Sequence, residues 1–189
     1  MSSLLQHVLD ELKDPDPRKR IFALDKIARI NPDNALEIIL PFLSDSHGDV
    51  RVEAAFNLGE IANPAAVPHL LTTIKNDSDD TVRAEAIGAL ESYRSSEILQ
   101  CLLEEVRRVK RSRRPRQEVA RQLGHYASQD SIDALLILFD DEDDVVRDHV
   151  VESLLKLNRP ALRAFWQRAS QDSREFIREM SYKALSELP

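Results

Sequence analysis

Glycine and aromatic residues are scarce in this chain. Four glycines in 189 residues and 5% aromatics leave little material for a β-sandwich or barrel, whose turns and strands draw on glycine, β-branched and aromatic side chains. One cysteine, Cys101, excludes an intramolecular disulfide and a cysteine-rich zinc site. No apolar run approaches the roughly 20 residues needed to span a bilayer. The first residues, MSSLLQHVLDELKDPDPRKR, lack the basic start, long apolar stretch and small-residue cleavage site of a secretory signal. The expectation is a cytoplasmic protein with no membrane partner. A formal net charge of −7 runs against general nucleic-acid binding, which needs basic surface.

Signatures of catalysis are missing too. His7, His47, His69, His125 and His149 fall at unrelated positions, and none forms the His-Glu-x-x-His pattern that puts two ligands on one helix face. There is no glycine-rich phosphate loop, and no spacing selects a Ser-His-Asp triad. The acidic run DDEDD at 140–144 lacks the alternation and glycine of a calcium loop. Cys101 sits in the apolar pattern of ILQCLLEEV, and the single Trp166 in the last helix pair; both read as packing residues. The expectation is no catalytic residue, no metal and no cofactor.

What the chain has is a repeat. Arg20, Arg51, Arg83, Arg116, Arg147 and Arg178 recur at spacings of 31, 32, 33, 31 and 31. Apolar or small residues follow at three, seven and ten positions, for example Ala54, Leu58 and Ile61 after Arg51. Those offsets share one helix face. Six residues before each Arg lies Asp14, Asp45, Asp77, Lys110, Asp141 or Asp172. A second apolar helix precedes each of these turns, as in ALEIILPFL and AVPHLLTTI, and Asn31-Pro32, Asn63-Pro64 and Arg159-Pro160 mark joints. The unit is helix A, an Asp-bearing turn, helix B and a short joint. Six units span about 2–33, 34–64, 65–96, 97–129, 130–160 and 161–189. One helix pair cannot bury its apolar face alone, so neighbours must stack. The fold expected is all-α, a superhelical solenoid of about six helix pairs forming a single domain over 1–189.

The stretches LSDSHGDVRVEAAFNLGEIANPAAVPHLL and IKNDSDDTVRAEAIGAL carry a likeness. They resemble HEAT repeats, in particular the short HEAT-like repeats of phycobilisome lyases. The matching residues are Asp45, Arg51, Ala54, Ala55, Leu58 and Gly59; Lys110, Ser181 and Ser186 depart from the pattern. The resemblance implies that Asp and Arg link successive turns in a ladder, which suits a carboxylate at a helix start and a multi-donor guanidinium beside it. It also implies, as an alternative function, a bilin lyase or phycobilisome-associated factor, with a bilin chromophore held by cations such as Arg29, Arg121 and His125.

Positions off the core register are expected to face a partner: those two, five, six and nine residues after each Arg. They single out Glu53, Phe56, Asn57, Glu85, Glu118, Arg121 and His125. Phe56 is the anchor candidate, since an exposed aromatic amid polar groups suits a hot spot. The leading expectation is a non-catalytic scaffold or adaptor that binds another protein on its helix-B face. A third reading puts nucleic acid on the basic turn RRVKRSRRPR, residues 107–116, through Arg107, Arg108, Lys110, Arg111, Arg113 and Arg114. Nucleic acid is disfavoured because the acidic turns at 76–80 and 140–144 should neutralise that stretch. Lys110, in place of an Asp, should break or invert one rung and create a hinge or a contact for an acidic partner.

Overall fold

The computed structural model describes residues 3–108, 112–157 and 159–188. Among them every regular element is helical, with A and B helices alternating along the sequence. The chain divides into two compact units, Met1–Cys101 and Leu102–Pro189.

In the first unit the A helices are α1 (Ser3–Glu11), α3 (Ala35–Ile39) and α5 (Val67–Asn76), and the B helices are α2 (Pro17–Ile30), α4 (Gly48–Ile61) and α6 (Asp80–Gly88). Helix α7 (Ser96–Arg108) begins in this unit and ends in the second. The second unit continues with A helices α9 (Gln129–Leu138) and α11 (Arg163–Ala169) and B helices α8 (Arg113–Leu123), α10 (Asp144–Leu157) and α12 (Glu175–Glu187). Within the first unit α4 packs between α2 and α6; within the second α10 packs between α8 and α12.

Local chemistry sets the boundaries. Asp16 caps α2, its side chain accepting the Arg18 N–H, and Pro17 opens the helix where no N–H is needed. Helix α3 stops after one turn because Pro41 cannot donate to the helix ladder, and Leu40–Ser44 tightens into a 3-10 segment. Asn31 ends α2 in the left-handed region at φ 45°, its N–H bonded to the Ile27 carbonyl. Ala62 ends α4 in the same way at φ 52°.

The core follows the register of the ladder arginines. The residues three positions on, Ala23, Ala54, Ala86, Val119, Val150 and Ser181, are all buried, and so are Ile27, Leu58, Leu90, Leu123 and Leu154 at seven. Burying a leucine of this kind stabilises by about 1.5–3 kcal/mol. The expectation at ten positions holds at Leu188 and is corrected at the others: Ile30 is exposed, and Ile61, Tyr93, Tyr126 and Leu157 are only half-buried. These five residues lie at or beyond the ends of their B helices, where neighbouring helices cover less.

The expectation at six positions is also corrected. Asn57, Gln122, Ser153 and Ala184 are buried rather than exposed. Each lies two turns beyond a buried residue, as Asn57 does beyond Val50, and positions seven apart share a helix face. A B helix flanked by two other B helices hides a wider arc than a single stripe. Ser153 uses that burial to donate to the Ala120 carbonyl of the neighbouring B helix at 2.8 Å.

Candidate functional site

The turns carry the ladder. Arg20 donates from Nε and Nη2 to the two Asp45 oxygens at 2.9 and 2.8 Å, and Arg51 does the same to Asp77 at 2.7 and 3.1 Å. In the second unit Arg116 Nε lies 2.8 Å from Asp141 Oδ2, an ion pair in which the N–H is not aligned for a hydrogen bond. Arg20, Arg51, Arg83, Arg147 and Arg178 also reach back to their own turns. Arg51 Nη1 donates to the Asp45 carbonyl at 2.9 Å, and Arg147 and Arg178 make the same bond to Asp141 and Asp172. The Asp residues close Asx turns: Asp45 Oδ1 accepts the His47 N–H, Asp77 the Asp79 N–H and Asp141 the Asp143 N–H. Helix capping proper falls two residues later, on Asp16, Asp79 and Asp143.

Burial raises the Asp45 and Asp77 carboxyls, but the hydrogen bonds and charges of Arg20 and Arg51 outweigh it and hold both below the usual Asp range. Two rungs differ. Arg83 and Arg147 turn their Nη2 groups onto Asp80 and Asp144 of their own turns. These Asp and Arg residues are architecture, oriented inward between turns.

The surface outside the ladder is the stripe at two, five and nine positions after each Arg. Spacings of three and four residues put these side chains on one face of each B helix. In the first unit α2 contributes Phe22, Asp25 and Arg29, α4 contributes Glu53, Phe56 and Glu60, and α6 contributes Glu85 and Gly88. Phe22 is 65% exposed and Phe56 45%. Arg29 is taken by Asp25 at 2.8 Å. Glu53 and Glu85 are half-buried and Glu60 is exposed.

Asn57 is corrected as a contact candidate. It is 2% exposed, and its Nδ2 donates to the Glu53 carbonyl at 2.9 Å and to Glu53 Oε1 at 2.8 Å. It positions Glu53 and cannot itself meet a partner.

In the second unit Glu118 and Arg121 pair at 2.7 Å, and His125 is exposed just beyond the end of α8. Arg107 and Arg108 end α7 exposed, and Arg113 and Arg114 open α8 exposed. Lys110 and Arg111 lie outside the described residues. The acidic turn at 140–144 does meet this basic helix start: Arg116 pairs with Asp141 and approaches Glu142 at 3.7 Å, and Gln117 donates to Asp143 at 3.0 Å. Burial raises the Asp143 carboxyl, but the Gln117 bond, two backbone amides and the Arg113 charge bring it below the usual range.

A groove of about 500 Å³ in the second unit had no counterpart in the sequence reading. Ile137, Ala161, Phe165 and Arg168 are among its walls. Ile137 is 67% exposed, while Phe165 packs edge-on against Phe139 and Trp166. The signal was present in DALLILF, which has more apolar residues than one buried face can use. Cys101 and Trp166 are buried. Among the described residues no group of three His, Cys, Asp or Glu side chains is arranged to hold a metal. No helix among them is long and apolar enough to cross a membrane.

Three solved structures share this fold over nearly the whole chain. An engineered protein superposes with a TM-score of 0.69 at 18% identity, covering 97% of this chain and 96% of its own. The CpcE–CpcF complex of phycocyanin lyase from Nostoc sp. gives 0.69 at 18%, covering 95% and 75%. A designed armadillo repeat protein in complex with the peptide (KR)4 gives 0.68 at 19%, covering 98% and 99%. At these identities the likeness is one of fold. No curated protein matches the chain by sequence. The HEAT repeat profile matches residues 5–91 and 98–186, which takes in most of the chain, and with its ladder and paired helices the chain belongs to the HEAT repeat family.

Proposed function

We propose that this chain is a non-catalytic docking protein that binds another protein along the exposed stripe of its B helices. The observation that carries this reading is the pair Phe22 and Phe56, two large aromatics left at 65% and 45% exposure on helices whose other apolar residues are mostly buried. An aromatic so exposed leaves much of its apolar surface unused by its own fold and suits a hot spot. Repeat proteins of this architecture serve as extended binding surfaces, and the designed armadillo neighbour holds a peptide.

Pigment handling ranks lower. The likeness to the phycocyanin lyase complex is of fold alone. Two of the cations that would meet a bilin's propionates, Arg29 and Arg121, are engaged by Asp25 and Glu118 of their own helices.

The test is capture of partners from the native cell with the wild-type chain and with a Phe22→Ala/Phe56→Ala variant of unchanged helicity. A partner held by the wild type and lost by the variant supports the reading. Equal capture by both overturns it.

A further inference from the structure

On the docking reading above, the chemistry of the stripe specifies its partner further. We propose that the face formed by α2, α4 and α6 takes an arginine- or lysine-rich segment of a partner protein, anchored on Phe56 and countered by Glu53 and Glu60.

Phe56 sits at the middle of the middle helix. Along α4 its neighbours on the same face are Glu53, three residues before, and Glu60, four after. Across the stack, the positions in register are Asp25 on α2 and Gly88 on α6. The glycine puts no side chain beside the ring, so a partner side chain can lie against it. Glu53 is held in place by the buried Asn57 amide at 2.8 Å, so less side-chain entropy is lost when it meets a partner. No cation among the described residues pairs with Glu53 or Glu60. The one arginine on this face, Arg29, is neutralised by Asp25. An exposed ring between two uncompensated carboxylates is matched by a guanidinium, which stacks on the ring face while its N–H groups bond a carboxylate. An acidic segment would meet like charge here, and a wholly apolar one would leave both carboxylates desolvated without partners.

Two other surfaces carry less. The groove beside Ile137 and Phe165 has nothing in the structure to say what covers it. The basic helix start at Arg113 is already countered by Asp143 and its neighbours.

The test is fluorescence anisotropy with labelled eight-residue peptides alternating Arg with Ser, or Glu with Ser, at low and moderate salt. The Arg peptide should bind and weaken with salt, and the Glu peptide should not bind. Phe56→Ala and Glu53→Gln/Glu60→Gln should each weaken Arg-peptide binding about tenfold or more. Glu37→Gln/Glu97→Gln, the same charge change on exposed positions of A helices α3 and α7, should leave it unchanged. Glu60→Gln alone alters an exposed side chain, so its folding is not in question. The proposal is overturned by absence of Arg-peptide binding at low salt, by equal binding of the Glu peptide, or by equal loss in the A-helix control. If the partner-capture experiment shows loss in Phe22→Ala/Phe56→Ala while the peptides show no preference, the docking reading stands and the basic partner falls.

Discussion

The buried Asn57 amide donates to the Glu53 carboxylate at 2.8 Å and to the Glu53 backbone carbonyl at 2.9 Å, tying a core residue to the exposed stripe. Asn57→Asp replaces the donor by a second carboxylate in a site that is 2% exposed. It loses both bonds and sets like charges together. The expected cost is about 2–3 kcal/mol at neutral pH, measured by urea unfolding.

The bidentate Arg51–Asp77 pair joins the second and third turns. Arg51→Lys keeps the charge but cannot present the two-pronged fork or simultaneously reach the Asp45 carbonyl. A loss of about 1–3 kcal/mol is expected. In a double-mutant cycle, Arg51→Met and Asp77→Asn should be coupled by at least about 1 kcal/mol. Additive effects would show that the rung contributes shape alone.

The same rungs set the acid limit. Asp45 and Asp77 are both held below the usual Asp value, burial being outweighed by their arginine bonds and by the His47 and Asp79 amides. The folded state therefore binds fewer protons than the unfolded chain in this range. Its stabilisation is complete above the unfolded value, about 4, and is lost as pH falls through the lower folded values. Thermal midpoints should change little from pH 7 to about 5 and drop steeply below about pH 4. Asp77→Asn, which has one fewer such group, should start lower and fall less steeply.

The sequence made the ladder legible because it is written at fixed spacing in charged residues that occur nowhere else in that register. Six Arg and five Asp stand at that spacing in the sequence, and the Arg20–Asp45, Arg51–Asp77 and Arg116–Asp141 contacts follow it. Asn57 was misread because periodicity describes the face a helix turns toward its own pair. It does not describe the flanks that two further helices cover. A polar residue two turns after Val50 looks solvent-facing until the neighbours are placed. The rung at Arg147 was expected to follow the rest, and the one at Arg83 to break, since Lys110 stands at the Asp position of the next turn. Both arginines have an acid three residues before them, Asp80 and Asp144, and at Arg147 this local partner on the same helix competes with Asp172 of the next turn. Phe22 was visible as an apolar residue in the exposed register, yet only the exposed area distinguishes it from Met180 at the equivalent position, which is half-buried.

Gly59 and Ala62, three residues apart at the end of α4, predict opposite responses to the same methyl group. A Cβ on Gly59 would lie 2.9 Å from the Ala89 Cα and 3.0 Å from its Cβ. Ala89 immediately follows α6, so the obstruction is backbone and cannot swing aside. Gly59→Ala must push the two helices apart, at an expected cost of about 1–3 kcal/mol. Ala62 carries its methyl in the left-handed region, at φ 52° and ψ 37°, with its N–H bonded to the Leu58 and Gly59 carbonyls. Its side chain is exposed, so removing the methyl relieves backbone strain and sacrifices no packing. Ala62→Gly should stabilise by up to about 1 kcal/mol, the lost strain being partly offset by the greater freedom of glycine in the unfolded chain. Urea unfolding of the two single variants and of the double exchange separates the effects. A stabilising Gly59→Ala would mean that α4 and α6 do not approach as closely in solution, and a destabilising Ala62→Gly would mean that the α4 terminus is not held in its left-handed turn.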